Sequence, residues 1–276
     1  MEVLRAATGL FAVSPSINPT QFQKFVEQLE LADQYPGSQG LGYLTRVKRD
    51  GKVSFGETSP QHTLKDFHVW PEKDQDMYAL ASHFEPLYRD DTADNTFDLH
   101  TDPVCSAAME NARDSGLPTA SARVMLPGAN KEAGFLIYVP IYENDRTPTT
   151  VSERQAALSG FVYSQFRAAD FLKSVLAIKH TSDIDLQLYD GPQPSIENLL
   201  ADTASEASER RPRNPSTIHL HDQRRSSREN LEHRLCFASG ICFCSKPKHS
   251  LLHGVRRAVD DLRAFCSHLF ASHCAF

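Results

Sequence analysis

From Gly134 to Tyr142 the chain reads Gly-Phe-Leu-Ile-Tyr-Val-Pro-Ile-Tyr, apolar at odd and even positions alike. Successive side chains of a strand point to opposite faces, so this segment puts apolar groups on both sides of any sheet it joins. That predicts a central strand in a sheet covered on both faces and excludes a one-sided surface ribbon. The rest of the chain must supply the covering elements.

Helices with legible ends are present for that role. Asn18 precedes Pro19, with Gln21 placed to reach back, which is the pattern of a capped first turn. Phe22, Phe25, Val26 and Leu29 then form one stripe, and Tyr35-Pro-Gly37 ends the helix. Upstream, Val3, Leu4, Ala7, Leu10 and Phe11 share a helical face until Ser14-Pro-Ser-Ile-Asn-Pro19 interrupts it. Further on, Asp102 is a good N-cap and Pro103 fits the first helical position. Val104, Ala107, Ala108, Met109 and Ala112 recur at helical spacing before Gly116, which can close the helix. Strands are predicted over 41–48, near 65–69, and over 76–85, 117–125 and 134–142. After a linker over 143–151 the pattern restarts as a strand (158–165), a helix (168–177) and a strand (183–189). In the last of these Ile184, Leu186 and Leu188 alternate with polar residues. This reads as a second, smaller unit.

With a net charge of −6 and both signs interspersed, the chain has no basic stripe, and no nucleic-acid partner is expected. No window approaches the roughly 18–20 apolar residues that span a bilayer, and the first residues lack the basic and apolar regions of a signal peptide. There is no Walker loop, Gly-x-Ser-x-Gly elbow, His-Glu-x-x-His helix or Gly-x-Gly-x-x-Gly fingerprint, so the chain is not expected to be an enzyme. No cofactor is expected. From about Ala201 the periodic pattern stops: 202–234 clusters arginine, serine and proline, and five of the six cysteines lie between Cys236 and Cys274. A disordered tail and an out-of-frame translation both fit this composition. A zinc site built from Cys236, Cys242, Cys244, His249 and His253 is the functional alternative, although the paired Cys-x-x-Cys spacing is missing.

The stretch Phe97-Asp-Leu-His-Thr-Asp-Pro-Val-Cys105, running on to Gly116-Leu-Pro-Thr-Ala-Ser121, resembles the signature helix of the CHASE family of sensory domains. The resemblance covers roughly residues 3 to 191, through Gly9-Leu-Phe-Ala-Val-Ser-Pro-Ser16, Tyr35-Pro-Gly-Ser-Gln-Gly-Leu-Gly-Tyr43, Phe84-Glu-Pro86, Leu158-Ser-Gly-Phe-Val162 and Phe166-Arg167. It implies an α+β fold: a long N-terminal helix followed by two tandem PAS-like antiparallel-sheet subdomains. The implied division is an N-terminal helical segment (1–34), a membrane-distal PAS-like ligand-binding subdomain (35–150), an incomplete membrane-proximal one (151–200) and the disordered or out-of-frame tail (201–276). It also implies a periplasmic or extracellular location and a small-molecule ligand. The parent protein would have membrane helices, and a kinase or cyclase output, that are absent here; a homodimer could form through the N-terminal helix. A soluble α+β enzyme and the zinc module are the alternatives.

A sensory cleft needs an apolar lining with a few placed polar groups. The resemblance puts the ligand in the distal subdomain, between the curved sheet and its covering segments. Residues there with suitable chemistry are Asp76 and Tyr78 at the head of one strand, His83 on that strand, Asp98 before the signature helix, and Thr119 with Ser121 after it. Asp98 could equally cap a turn. No metal ligands are assigned, and Cys105 reads as a small buried hydrophobe.

Overall fold

The computed structural model describes residues 2–13, 17–35, 37–51, 76–87, 98–126, 132–143, 148–179, 184–191, 195–203, 233–236 and 241–247. The N-terminal segment folds as α1 (Glu2–Val13), α2 (Pro19–Gln28) and the single turn α3 (Leu31–Gln34), in place of one long helix. The break before α2 is written locally. Asn18 accepts from the Gln21 amide while the Gln21 side chain accepts from the Asn18 amide, closing a capping box ahead of Pro19.

The first sheet takes β1 (Ser38–Lys48), β2 (Met77–Pro86), β3 (Thr119–Ala120), β4 (Val124–Met125), β5 (Ala133–Tyr142) and β6 (Leu158–Arg167). Its order is β2-β1-β6-β5-β3, with β4 also on β5, and every pair is antiparallel. β5 is an interior strand buried on both faces, as its composition predicts, and β6 takes the middle. The sheet continues past residue 150, because β6 hydrogen-bonds to β1 on one side and β5 on the other. Alternation in a sequence shows that a strand exists and not which partner it finds. The 117–125 segment also splits: between β3 and β4, Ser121 binds Leu136 through its amide and its hydroxyl, and Arg123 turns toward Asp190. The strand expected near 65–69 lies outside the described residues.

One face of this sheet is covered by α1, α2, α3 and by α6 (Ala168–Lys179), which follows two further helices, α4 (Pro103–Ser115) and α5 (Val151–Ala157). Leu4, Ala7 and Phe11 of α1 and Phe22 and Val26 of α2 bury against Leu41, Phe135 and Val162. Phe135 is fully buried between Phe166, stacked at 5.4 Å, and Phe171, edge-on at 5.4 Å. The opposite face carries α4. Asp102 accepts from the Val104 and Cys105 amides at 2.9 Å, Pro103 starts the helix, and Gly116 ends it at φ 72°. Its buried stripe is Cys105, Ala108, Met109 and Ala112, shifted from the predicted one: Ala107 is exposed and Val104 only half-buried. A fully buried methionine of this kind contributes about 2 kcal/mol. The C-terminus of α4 is tied down by Tyr142, whose hydroxyl donates to the Arg113 carbonyl at 2.6 Å, and by Arg154, which donates to the Asp114 carbonyl at 2.8 Å.

A second antiparallel sheet of order β8-β7-β10-β9 comprises β7 (Ile184–Asp190), β8 (Leu199–Asp202), β9 (His233–Cys236) and β10 (Ile241–Pro247). Leu186, Leu188 and Leu200 join the same apolar cluster as Phe171 and Leu172 of α6, so α6 is shared by the two sheets. β8 crosses the expected limit at 200. β9 and β10 fall inside the segment expected to lack regular structure, yet β10 pairs with β7 along its whole length, from Ile241 opposite Asp190 to Pro247 opposite Ile184. Those strands show no alternating apolar pattern by which the sequence could have announced them.

Candidate functional site

The six residues singled out in the sequence do not converge on one cleft. Asp76 is 96% exposed and pairs with Arg49 at 2.9 Å. Tyr78 is buried with Val47 and Leu80. Thr119 is half-buried and donates to the Leu117 carbonyl at 3.2 Å, while Ser121 is fully buried and bonds the backbone of β5 and of Ala122. Asp98 is fully buried: one oxygen accepts from the Ala79 amide at 3.0 Å and the His100 amide at 3.1 Å, the other from the Thr101 hydroxyl at 2.9 Å. It caps the 3₁₀ turn Leu99–Thr101 and staples that turn to β2.

His83 faces the N-terminal helices because β2 has an extra residue opposite Tyr43 and Leu44, which reverses the strand's alternation. Its ring packs against Phe11 and Phe22, and Nε2 lies 2.7 Å from the Ile17 carbonyl. A carbonyl only accepts, so this bond assigns the neutral ring's proton to Nε2. Burial lowers the His83 pKa, with the Ile17 bond opposing. The unfolded chain therefore takes up a proton that the folded chain refuses. The resulting stability is complete above the unfolded value of about 6.5 and is lost as pH falls from there toward the lower folded value. Thermal melts are expected to show a Tm that drops below about pH 6.5, with most of that slope absent from His83→Gln. A slope unchanged in that variant contradicts the assignment.

A cleft lies on the other face, between α4 and the sheet. Arg46, Met77, Tyr78 and Ala79 line it from β1 and β2, His100 from the turn, Met109, Glu110 and Arg113 from α4, and Leu158 and Phe161 from β6. It measures about 80 Å³. At roughly 15 Å³ per water-sized group this is room for about five. A second cavity, beneath α1 and lined mainly by Leu4, Leu41, Ile137 and Phe166, measures about 20 Å³, space for one water.

Polar groups at the larger cleft are placed by the fold. Arg46 donates to the Gln155 carbonyl of α5 at 3.1 Å, and burial and then the charge of Arg113 lower its pKa. Arg113 is compensated, since it forms two bonds to Asp114, which hold its own pKa up, and it feels Glu110. His100 is fixed through its backbone by Asp98, and its Nδ1 is buried with no hydrogen-bond partner. The sequence-based choice thus selected Asp98, which positions the turn, and missed His100, which the turn presents, although it stands in the same Phe97-Asp-Leu-His motif. Arg46 had no local signal. Cys105 is buried on the inner side of α4, and that burial pushes its thiol up to about 12. Peptide mapping after brief alkylation of the native protein near pH 8 is expected to find Cys105 unmodified, because the thiolate is the reactive form. Rapid labelling would contradict that placement. Among the described residues no three metal-ligating side chains cluster.

The first sheet is thus antiparallel, covered on one face by the N-terminal helices and holding a cleft beneath α4 on the other. The chain belongs to the CHASE domain family, which matches residues 15–201; CHASE is an extracellular sensory domain. No curated protein matches this chain in sequence. Among solved structures it is similar to an extracellular ligand binding receptor from Desulfohalobium retbaense, at 10% identity and a TM-score of 0.41, over 88% of this chain and 35% of that one. The chain therefore spans about a third of that receptor's length. It is also similar to the ligand-binding domain of the Pseudomonas aeruginosa amino acid chemoreceptor PctC in complex with GABA, at 10% identity and a TM-score of 0.39, over 89% of this chain and 87% of that one. No described helix is long and apolar enough to cross a membrane.

Proposed function

We propose that this chain is the extracytoplasmic receiver of a membrane sensor, and that it binds a small molecule in the cleft between α4 and the first sheet. The relay runs to a kinase or cyclase output elsewhere in the parent protein. The observation that carries this reading is the cleft itself: an apolar floor of Met109, Leu158 and Phe161, with polar groups that the fold fixes in place and leaves incompletely bonded. The relay is supported by a contact between the segment that follows α4 and the second sheet. Arg123, just after β3, donates its amide to Asp190 at 2.9 Å and its side chain to the Glu197 carbonyl at 3.4 Å, so movement of the segment following α4 bears on the second sheet. Asp76, Thr119 and Ser121 serve in this reading as supports around the domain and not as ligand contacts.

A ligand that binds only the folded state raises its stability by mass action. Thermal-shift screening with amino acids, carboxylates and adenine derivatives is expected to yield a compound that raises Tm. The shift should vanish in Met109→Trp, which fills the cleft, provided that variant still melts cooperatively. A shift that persists in Met109→Trp would place the ligand elsewhere.

A further inference from the structure

We propose that the cleft selects a small molecule bearing a carboxylate, which sits between the guanidinium of Arg46 and the imidazole of His100. The proposal rests on the reading of this cleft as the ligand site and adds the chemical class of the ligand. Charge accounting around the cleft supports it. Arg113 has Asp114 bonded to it and Glu110 close by, so the described carboxylates are directed at Arg113. Arg46, by contrast, has no carboxylate partner among the described residues and donates only to the Gln155 carbonyl. A guanidinium carries five N–H donors in a planar fork that matches a carboxylate, and that of Arg46 is exposed, where a ligand can reach it.

His100 supplies the second, independent observation. The Asp98 carboxylate holds the turn, so the ring is oriented before any ligand arrives, and its Nδ1 is enclosed yet unbonded. A buried polar atom without a partner is costly unless something fills the vacancy. The ring as a whole is only half-buried, so a small rotation brings Nδ1 to a ligand oxygen, to which it donates. Dimensions limit what else the molecule carries. A volume of about 80 Å³ accommodates a carboxylate and a short hydrocarbon stem, and Met109, Leu158 and Phe161 suit that stem. Glu110 is exposed at the rim, where it disfavours a second anion in the mouth and leaves Arg46 and His100 as the place for the first.

The test compares matched probes on the full chain: propionate and butyrate against propionamide and butyramide, by calorimetry at low ionic strength. A carboxylate is expected to bind at least tenfold more tightly than its amide. Arg46→Gln should weaken it at least tenfold, Arg46→Lys less, and His100→Phe should weaken it several-fold. Equal binding of acid and amide, binding that survives Arg46→Gln, or no binding of either carboxylate would overturn the proposal. An uncharged probe whose binding is lost in Met109→Trp but kept in Arg46→Gln would remove the carboxylate and keep the cleft. Binding insensitive to all of these substitutions would remove both.

Discussion

Asp98→Ala is expected to destabilise the folded chain by about 3 kcal/mol or more, since bonds to a charged acceptor are worth about 1.5–3 kcal/mol each. Asp98 is fully buried and receives the Ala79 amide, the His100 amide and the Thr101 hydroxyl. Alanine strands the buried Ala79 amide on β2 and frees the turn that carries His100. Asp98→Asn retains an acceptor for the two amides and can donate to Thr101, so about 1 kcal/mol is expected there. Urea unfolding of the two variants measures both values. A change below about 0.5 kcal/mol in Asp98→Ala, the range of ordinary surface substitutions, would contradict the role assigned to this carboxylate. Where Asp98→Ala folds, weakened ligand binding is expected as well, because His100 loses its fixed orientation.

A comparable loss, about 3 kcal/mol or more, is expected of Gly37→Ala, which combines a disfavoured backbone conformation with a steric clash. Gly37 has φ +95°, and a Cβ there would lie 2.5 Å from the Phe171 nitrogen and 2.6 Å from its Cα. The start of β1 passes this close to α6 because the Gly37 carbonyl accepts the Arg167 amide at 3.1 Å, at the end of β6. The neighbour is backbone in a packed helix and cannot rotate aside. Gly191 provides the control: its φ is +96° with nothing within 4 Å of a new Cβ. Gly191→Ala is expected to cost about 1 kcal/mol from conformation alone. Equal losses at the two sites would show that the contact with α6 contributes nothing.

What could be read from the sequence was what local chemistry decides. The Asn18–Gln21 box, the Asp102-Pro103 start and the Gly116 stop of α4 each depend on a few adjacent residues, and each stands where it was predicted. β5 declared its two buried faces through composition. The helix α5 carried a readable signal that went unread, Thr150 with Glu153 forming a capping box inside what looked like linker. Pairing was not legible. Nothing local to 158–165 says that β6 lies between β1 and β5, and no apolar alternation marks 233–236 or 241–247 as strands.

The candidate site follows the same division. Asp98 could be read because its motif is contiguous, whereas the cleft is assembled from β1, β2, β6, a turn and α4. His83 shows why alternation alone misleads. The extra residue opposite Tyr43 and Leu44 turns it toward Phe11 and Phe22, away from the face on which α4 and the cleft lie.

The most direct measurement is a crystal structure of the chain grown with the compound that gives the largest thermal shift. The account predicts ligand density beneath α4, against Met109 and Phe161, with a polar group of the ligand within hydrogen-bond distance of Arg46 or His100 Nδ1. Density on the opposite face of the sheet, in the cavity beneath α1 lined by Leu4 and Leu41, or at any site touching none of the cleft residues, would contradict it.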